Sequence, residues 1–479
     1  MLFLVIFSST FFLFAFLPAV IICYYTQRLL FKNRLRNVVL LFFSYLFYLY
    51  GAADFLLILV ISTLADYLFG LLIDRDNIRK QLWLSCSVLL NIGLLGYFKY
   101  ANFFIDELSG TFENIGFSLV GWENVILPIG ISFFTFQKLS YVIDVYRGKN
   151  RSLKNVVDFA LYVAMFSQLI AGPIIRFNDI RGQLKKRKES WDLFYMGAMR
   201  FCWGLAKKVI IANSCGKIAD VIFGLDIPSL DTKTAWLGSL AYGLQIYVDF
   251  SAYSDMALGI GLLFGFKFLE NFNLPYSATS VTDFWKRWHI SLSRWFRDYL
   301  YISLGGSRQG PLRTYLNLMV VFILCGIWHG ANWTFLFWGL YHGVFLMAER
   351  VTGLRYVNPE RFSGVRRAVT LFIVMVGWVL FRAEDISQAI GFLGVMFTPI
   401  DLPISYELSL VLNYRNIIFT LAAATVFFLP GEFSVPGFLM SQKRPILLIM
   451  GVITILVLLP YSAALIAGGS NSPFIYYRF

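Results

Sequence analysis

The chain carries three histidines, His289, His329 and His342, and their chemistry stands out against an otherwise apolar background. Imidazole changes charge near neutral pH, so it is the side chain suited to take a proton from a hydroxyl attacking an acyl carbon. His329 lies inside the apolar run Leu316 to Met347, beside Trp328, Gly330, Asn332 and Trp333. An ionisable group in such a run is costly to bury and by default marks a functional site. The competing reading is a structural imidazole hydrogen-bonded between helices. The neighbouring Trp, Gly and Asn favour a shaped, partly polar pocket. His289 stands roughly forty positions upstream in RWHISLS, Arg287 to Ser293. One imidazole could activate an acceptor hydroxyl while the second group positions the donor or holds the base. His342, in YHG, reads as structural.

Other chemistries find little support. No helix carries an i, i+4 histidine pair and neither His289 nor His329 has a carboxylate cluster nearby, so no metal site is expected. The five cysteines form no C-x-x-C pair and read as packing residues. No G-x-S-x-G elbow occurs, and Ser254 in DFSAYSDMALG lacks a histidine neighbour. In that run Asp249 and Tyr253 stand at i, i+4 and share a face turned inward, for hydrogen bonding or for substrate contact. The candidate catalytic residues are therefore His329 and His289. The candidate substrate contacts are Trp328, Asn332, Asp249 and Tyr253, with Trp285, Arg287, Trp288, Ser291 and Arg297 beside His289.

The elements that must hold these residues are unusual. His289 belongs to a polar insertion, Lys267 to Arg313, that mixes Trp and Tyr with Lys and Arg and cannot span a bilayer. It can lie along the cytoplasmic interface or fold into the protein. Ser280 or Thr282 can cap one or two short amphipathic helices over Asp283 to Tyr301, and Gly305, Gly306, Gly310 and Pro311 end them in a turn. No strand precedes that glycine loop and it has no P-loop spacing, so phosphate cradling is not expected there. The Leu316–Met347 run would be about 48 Å long as one helix, too long for an upright crossing of ~30 Å. Either it tilts or kinks, leaving His329 near the midplane, or it breaks near Gly326 and Gly330 into a hairpin, leaving His329 near the far surface.

Composition gives the solvent. Of 479 residues 58% are hydrophobic and 14% charged, against roughly 25% charged in soluble proteins. Stretches of ~20 apolar residues recur, the first from Leu2 to Cys23, which reads as a retained membrane helix and not a cleaved signal. The expected fold is an all-α polytopic membrane protein of roughly ten to twelve membrane helices with re-entrant and interfacial helices. One membrane domain over 1–479 is expected. It comprises N-terminal hairpins (1–100), a catalytic core (120–350, with the insertion 267–313) and C-terminal helices (351–479). The net charge of +13 sits in short loops such as Arg28 to Arg36 and Arg75 to Lys80. Basicity here is a topology signal that puts those loops in the cytoplasm. The polar segment Leu127 to Tyr146 should line an interior. The basic stretch Arg176 to Lys188 is either an anchor among anionic head groups or a contact for an anionic donor such as coenzyme A.

Three runs carry a resemblance. YVDFSAYSDMALGIG (Tyr247 to Gly261), ENFNLPY with DFWKRWHISLSRWFRDYLYISLGGSRQG (Glu270 to Gly310) and CGIWHGANWTFLFWGLYHG (Cys325 to Gly343) resemble, in order and spacing, the membrane-bound O-acyltransferase superfamily, and within it the bacterial alginate O-acetylase-like branch. In weaker form the likeness extends upstream to QKLSYVIDVYRG and LIAGPIIRF; beyond about Arg367 it is least diagnostic. The resemblance implies a helical bundle around a membrane tunnel, with the family's histidine on His329 and its second signature position on His289, where many relatives have asparagine. It implies acetyl drawn from a cytoplasmic donor, acetyl-CoA, and passed outward through a bacterial inner membrane. A separate periplasmic or membrane-anchored acetyltransferase would complete transfer to a polysaccharide such as alginate. No permanently bound cofactor and no nucleic acid is implied. D-alanyl transfer to teichoic acid is the nearest alternative activity, and a transporter or flippase the alternative of a different class.

Overall fold

The computed structural model describes residues 7–114, 122–170, 172–354, 362–430, 444–469 and 474–475. Among them the regular structure is helical, with no strand. Six stretches are long and apolar enough to cross a membrane: Phe12–Phe31, Arg36–Arg75, Lys80–Ser109, Pro311–His329, Ser363–Arg382 and Pro445–Ala467. The 40 residues of Arg36–Arg75 would span about 60 Å, twice a bilayer core. They break at a 3₁₀ turn, Ala53–Phe55, into Arg36–Ala52 and Leu56–Arg75. Shorter or more polar helices fill the rest, so the chain is an all-α, multi-pass membrane protein.

By contacts the chain forms two compact units, one of residues 1–197 with 260–269, the other of 198–259 with 270–479. The first unit packs its opening hairpin on rings. Phe12, Phe16, Phe47 and Phe166 pack together, with centroids 5.4–6.4 Å apart. The polar segment foreseen as interior is helix Ile131–Tyr146, of which 13 of 16 residues are buried. Its Lys138 ammonium pairs with Asp66 at 3.6 Å, both side chains fully enclosed. Asp66 also accepts hydrogen bonds from Ser87 and from Asn91 at 2.7 Å. A charge removed from water survives only with such partners. In the basic stretch Arg187 turns inward, donating to the Tyr24 hydroxyl, the Phe264 carbonyl and the Asn37 side chain. That residue is a pin of the fold, not an interfacial anchor.

In the second unit the Leu316–Met347 run takes the hairpin alternative: helix Pro311–His329, a tight turn, and helix Trp333–Val351. Asn332 caps the second helix by accepting from the Thr334 N–H at 3.0 Å. The two helices touch backbone to backbone. A β-carbon on Gly326 would collide with the Phe335 carbonyl, and one on Gly339 with that of Phe322. Small residues at a crossing are how membrane helices approach closely.

The polar insertion folds into this unit, as helices Val281–Arg287 and Ile290–Trp295 followed by a wide turn, Phe296–Tyr301. Ser280 is the cap, accepting from the Asp283 N–H at 2.9 Å. The Glu349 carboxylate of the hairpin accepts from the backbone of Val281 and Thr282, at 2.5 and 2.9 Å. Val281, Phe284, Trp288, His289, Leu292 and Trp295 are buried.

Gly326→Ala and Gly339→Ala are each expected to destabilise the purified protein by about 1–3 kcal/mol, the cost of overpacking a tight seam. Gly394→Ala, whose new methyl meets nothing within 4 Å, should be neutral or slightly stabilising. Thermal melting of the three variants beside the parent checks this.

Candidate active site

The site grows from the end of the hairpin. Helix Pro311–His329 stops at Gly330, so Trp328 and His329 stand in its last turn, both buried. The His329 ring meets Trp328 at 4.9 Å, Trp338 at 5.1 Å and Phe381 at 5.1 Å, centroid to centroid. Trp338 and Phe381 come from the return helix Trp333–Val351 and from helix Ser363–Arg382.

The insertion brings the second imidazole to the same place. His289 joins the two short helices in a left-handed conformation (φ 43°, ψ 56°) that non-glycine residues seldom adopt. What holds it there is polar. The Asn271 side-chain oxygen contacts His289 Nδ1 at 3.1 Å and accepts from the Ser291 N–H at 3.2 Å and hydroxyl at 2.8 Å. The Asn271 side-chain amide donates to Ser254 Oγ at 3.2 Å, and the Asn271 backbone carbonyl accepts from the Ile290 N–H at 2.9 Å. With donors converging on Oδ1, the amide orientation is determined. Nδ1 of His289 must then carry the proton, which leaves Nε2 as the basic nitrogen.

Phe250 packs edge-on against the His289 ring at 4.7 Å. Burial, with no compensating charge, pushes its pKa down from 6.5 to about 3. The ring is therefore neutral at physiological pH. The Trp328 ring meets both imidazoles, 4.9 Å from His329 and 6.4 Å from His289.

Of the residues singled out from the sequence, His289, Trp328, His329 and Ser291 come together. Asp249 and Tyr253 share one face as foreseen. Asp249 pairs with Lys208 at 2.9 Å and accepts from the Ile475 N–H at 2.9 Å, while Tyr253 stacks on Phe474 at 4.7 Å. Phe474 also meets Phe250, which links that face to the His289 ring. Trp288 sits in an aromatic core with Trp378 (4.8 Å) and Phe272 (5.2 Å). Trp285 packs on His342 (5.0 Å) and Trp338 (5.5 Å), so His342 is part of the same aromatic wall.

Three candidates stand apart from the imidazole pair. Arg287 ties Asp283 (2.9 Å) to the Asn273 and Ser277 oxygens. Arg297 pairs with its neighbour Asp298, its side chain 60% exposed. Asn332 caps its helix and donates to the Glu384 carbonyl at 2.7 Å. Sequence reasoning passed over Asn271, although ENFNLPY was singled out, because the bond to His289 joins residues 18 positions apart.

The profile of the membrane-bound O-acyltransferase family matches residues 88–382, a segment holding all three histidines. The chain belongs to this family. It is an O-acyltransferase of the membrane. Among similar proteins, a probable alginate O-acetylase of Pseudomonas putida is 48% identical over 82% of this chain and 80% of its own. One of Azotobacter vinelandii is 47% identical over 82% and 78%. A peptidoglycan O-acetyltransferase of Helicobacter pylori is 37% identical over 82% and 80%.

The depressed pKa at His289 has a thermodynamic consequence. Between pH 6.5 and 3 the unfolded chain binds a proton there that the folded chain refuses, so this contribution is intact above pH 6.5 and is lost as pH falls towards 3. The slope is about 1.4 kcal/mol per pH unit. His289→Asn removes it. The stability gap between parent and variant should narrow by about 2 kcal/mol from pH 7 to pH 5 in denaturation followed by tryptophan fluorescence.

Proposed function

We propose that this O-acyltransferase moves acetyl from acetyl-CoA, on the cytoplasmic side of a bacterial inner membrane, to hydroxyls of an exported polysaccharide, with an alginate-like polymer first in line. The observation that carries the reading is the two buried imidazoles, His289 and His329, that meet the same Trp328 ring. The names of the similar proteins support acetyl as the group and a cell-envelope polymer as the destination.

In this reading His329 is the general base. An acceptor hydroxyl attacks the thioester carbonyl, its proton passes to the His329 imidazole, and a tetrahedral oxyanion forms. Collapse breaks the C–S bond, and the departing thiolate takes the proton back from the imidazolium, so the ester forms and the enzyme is restored. His289, neutral and fixed by Asn271, orients a hydroxyl through Nε2. Trp328, Trp338 and Phe381 exclude water that would hydrolyse the thioester. Trp328 and Ser291 are the candidate substrate contacts nearest the two rings; Asp249 and Tyr253 flank them through Phe250 and Phe474. In this reading a periplasmic or membrane-anchored acetyltransferase receives the acetyl and completes transfer to sugar.

His329→Ala should lower the ester content of the exported polymer by 10²-fold or more, with membrane level and melting of the protein close to the parent. His329→Gln, which better preserves packing against Trp338 and Phe381, should be as inactive. Acetyl content retained in either variant would end the assignment of His329. Inside-out vesicles should consume acetyl-CoA and sealed right-side-out vesicles should not; the reverse result overturns the sidedness.

A further inference from the structure

In the first unit, a cavity of about 460 Å³ opens at the turn between the apolar stretches Phe12–Phe31 and Arg36–Arg75. Its charged lining is Arg34, Arg36 and Lys185 against Asp158, three cations to one carboxylate, with Asn33, Asn37 and Asn155 beside them. The carboxylate is already engaged, since Asp158 accepts from the Asn37 amide at 2.7 Å. Arg36 is fixed at the wall by the Lys185 carbonyl at 2.7 Å and by Glu189 at 3.5 Å. Arg34 and Lys185 are exposed and, among the described residues, form no ion pair.

Backbone adds to the positive field. Helix Arg36–Ala52 begins at this cavity with no side-chain cap. Among the described residues the N–H groups of Asn37 and Val38, both of the lining, meet no acceptor. The start of a helix carries partial positive charge and open donors, which suit a phosphate. The Asn33 side-chain oxygen is buried without a hydrogen-bond partner among the described residues, an acceptor ready for a hydroxyl or ammonium of the same ligand.

The surroundings select among phosphates. The cavity sits where two membrane-length stretches end and begin, and Leu30, Phe31, Leu35 and Val38 beside it are exposed apolar side chains. No aromatic ring lines it on which a nucleobase could stack. We infer that this cavity binds the phosphate head group of an anionic phospholipid whose acyl chains lie along those apolar side chains.

The test uses the purified full chain in neutral detergent, with lipid adducts counted by native mass spectrometry. The probes are phosphatidylglycerol, phosphatidylcholine, adenosine 3′,5′-bisphosphate and inorganic phosphate. At about 1 kcal/mol per basic residue, Arg34→Gln with Lys185→Gln should weaken phosphatidylglycerol retention roughly thirtyfold and leave phosphatidylcholine unchanged. Arg34→Lys with Lys185→Arg keeps the charge and should keep the lipid. Lys186→Gln with Lys188→Gln, exposed residues outside the lining, should behave as the parent. Equal loss in the outside pair, no loss in the cavity pair, or displacement of the lipid by the nucleotide or by phosphate at equal concentration overturns the inference. Acyl transfer is not the readout, so the result stands apart from the assignment of His329.

Discussion

His289 is a neutral imidazole enclosed in an apolar interior, and its Nδ1 is committed to Asn271. The consequences spread outward. The same amide oxygen receives Ser291 from the following helix, and its nitrogen reaches Ser254 on helix Thr232–Leu263. The insertion is thereby pinned in a way its short helices could not achieve alone. The left-handed backbone of His289 costs roughly 1–2 kcal/mol, and it persists because these bonds over-determine it. The ring that results is oriented, protonated at Nδ1 and held against Phe250.

Much of this was legible in the sequence and some was not. Apolar length gave the spans, and the 32-residue Leu316–Met347 run could not cross upright, so a break was one of two stated outcomes. The glycines go with a hairpin, because Gly326 and Gly339 would stand about 20 Å apart in one continuous helix and can touch only if the chain reverses. Ser280 as a cap and the shared face of Asp249 and Tyr253 followed from local spacing. The Asn271 to His289 bond did not, since nothing in local periodicity links residues 18 apart through a reversal of the chain. For the same reason Arg287 and Arg297, attractive as cations near a histidine, turn out to serve Asp283 and Asp298.

Charged groups off the imidazole pair follow a common rule in both units. Lys138 with Asp66, and Lys208 with Asp249, are enclosed pairs. Arg200 bridges Asp255 and Glu270 while Lys207 takes the remaining Asp255 oxygen. Enclosed pairs add little net stability, because desolvation offsets attraction, yet breaking one leaves an uncompensated charge. They define which helix faces which. Asp255 and Glu270 are the chain neighbours of Ser254 and Asn271, so the Arg200 bridge bears directly on the groups that hold His289.

The division of labour between the imidazoles follows from their surroundings. A base is most effective when its pKa lies near the working pH, and burial has driven His289 far below it. A proton placed on that ring would be returned at once, so His289 is better suited to accept and orient a hydrogen bond than to carry a proton through the reaction. In the proposed reaction that role is left to His329, which stands in the last turn of helix Pro311–His329 with Trp328, Trp338 and Phe381 around its ring.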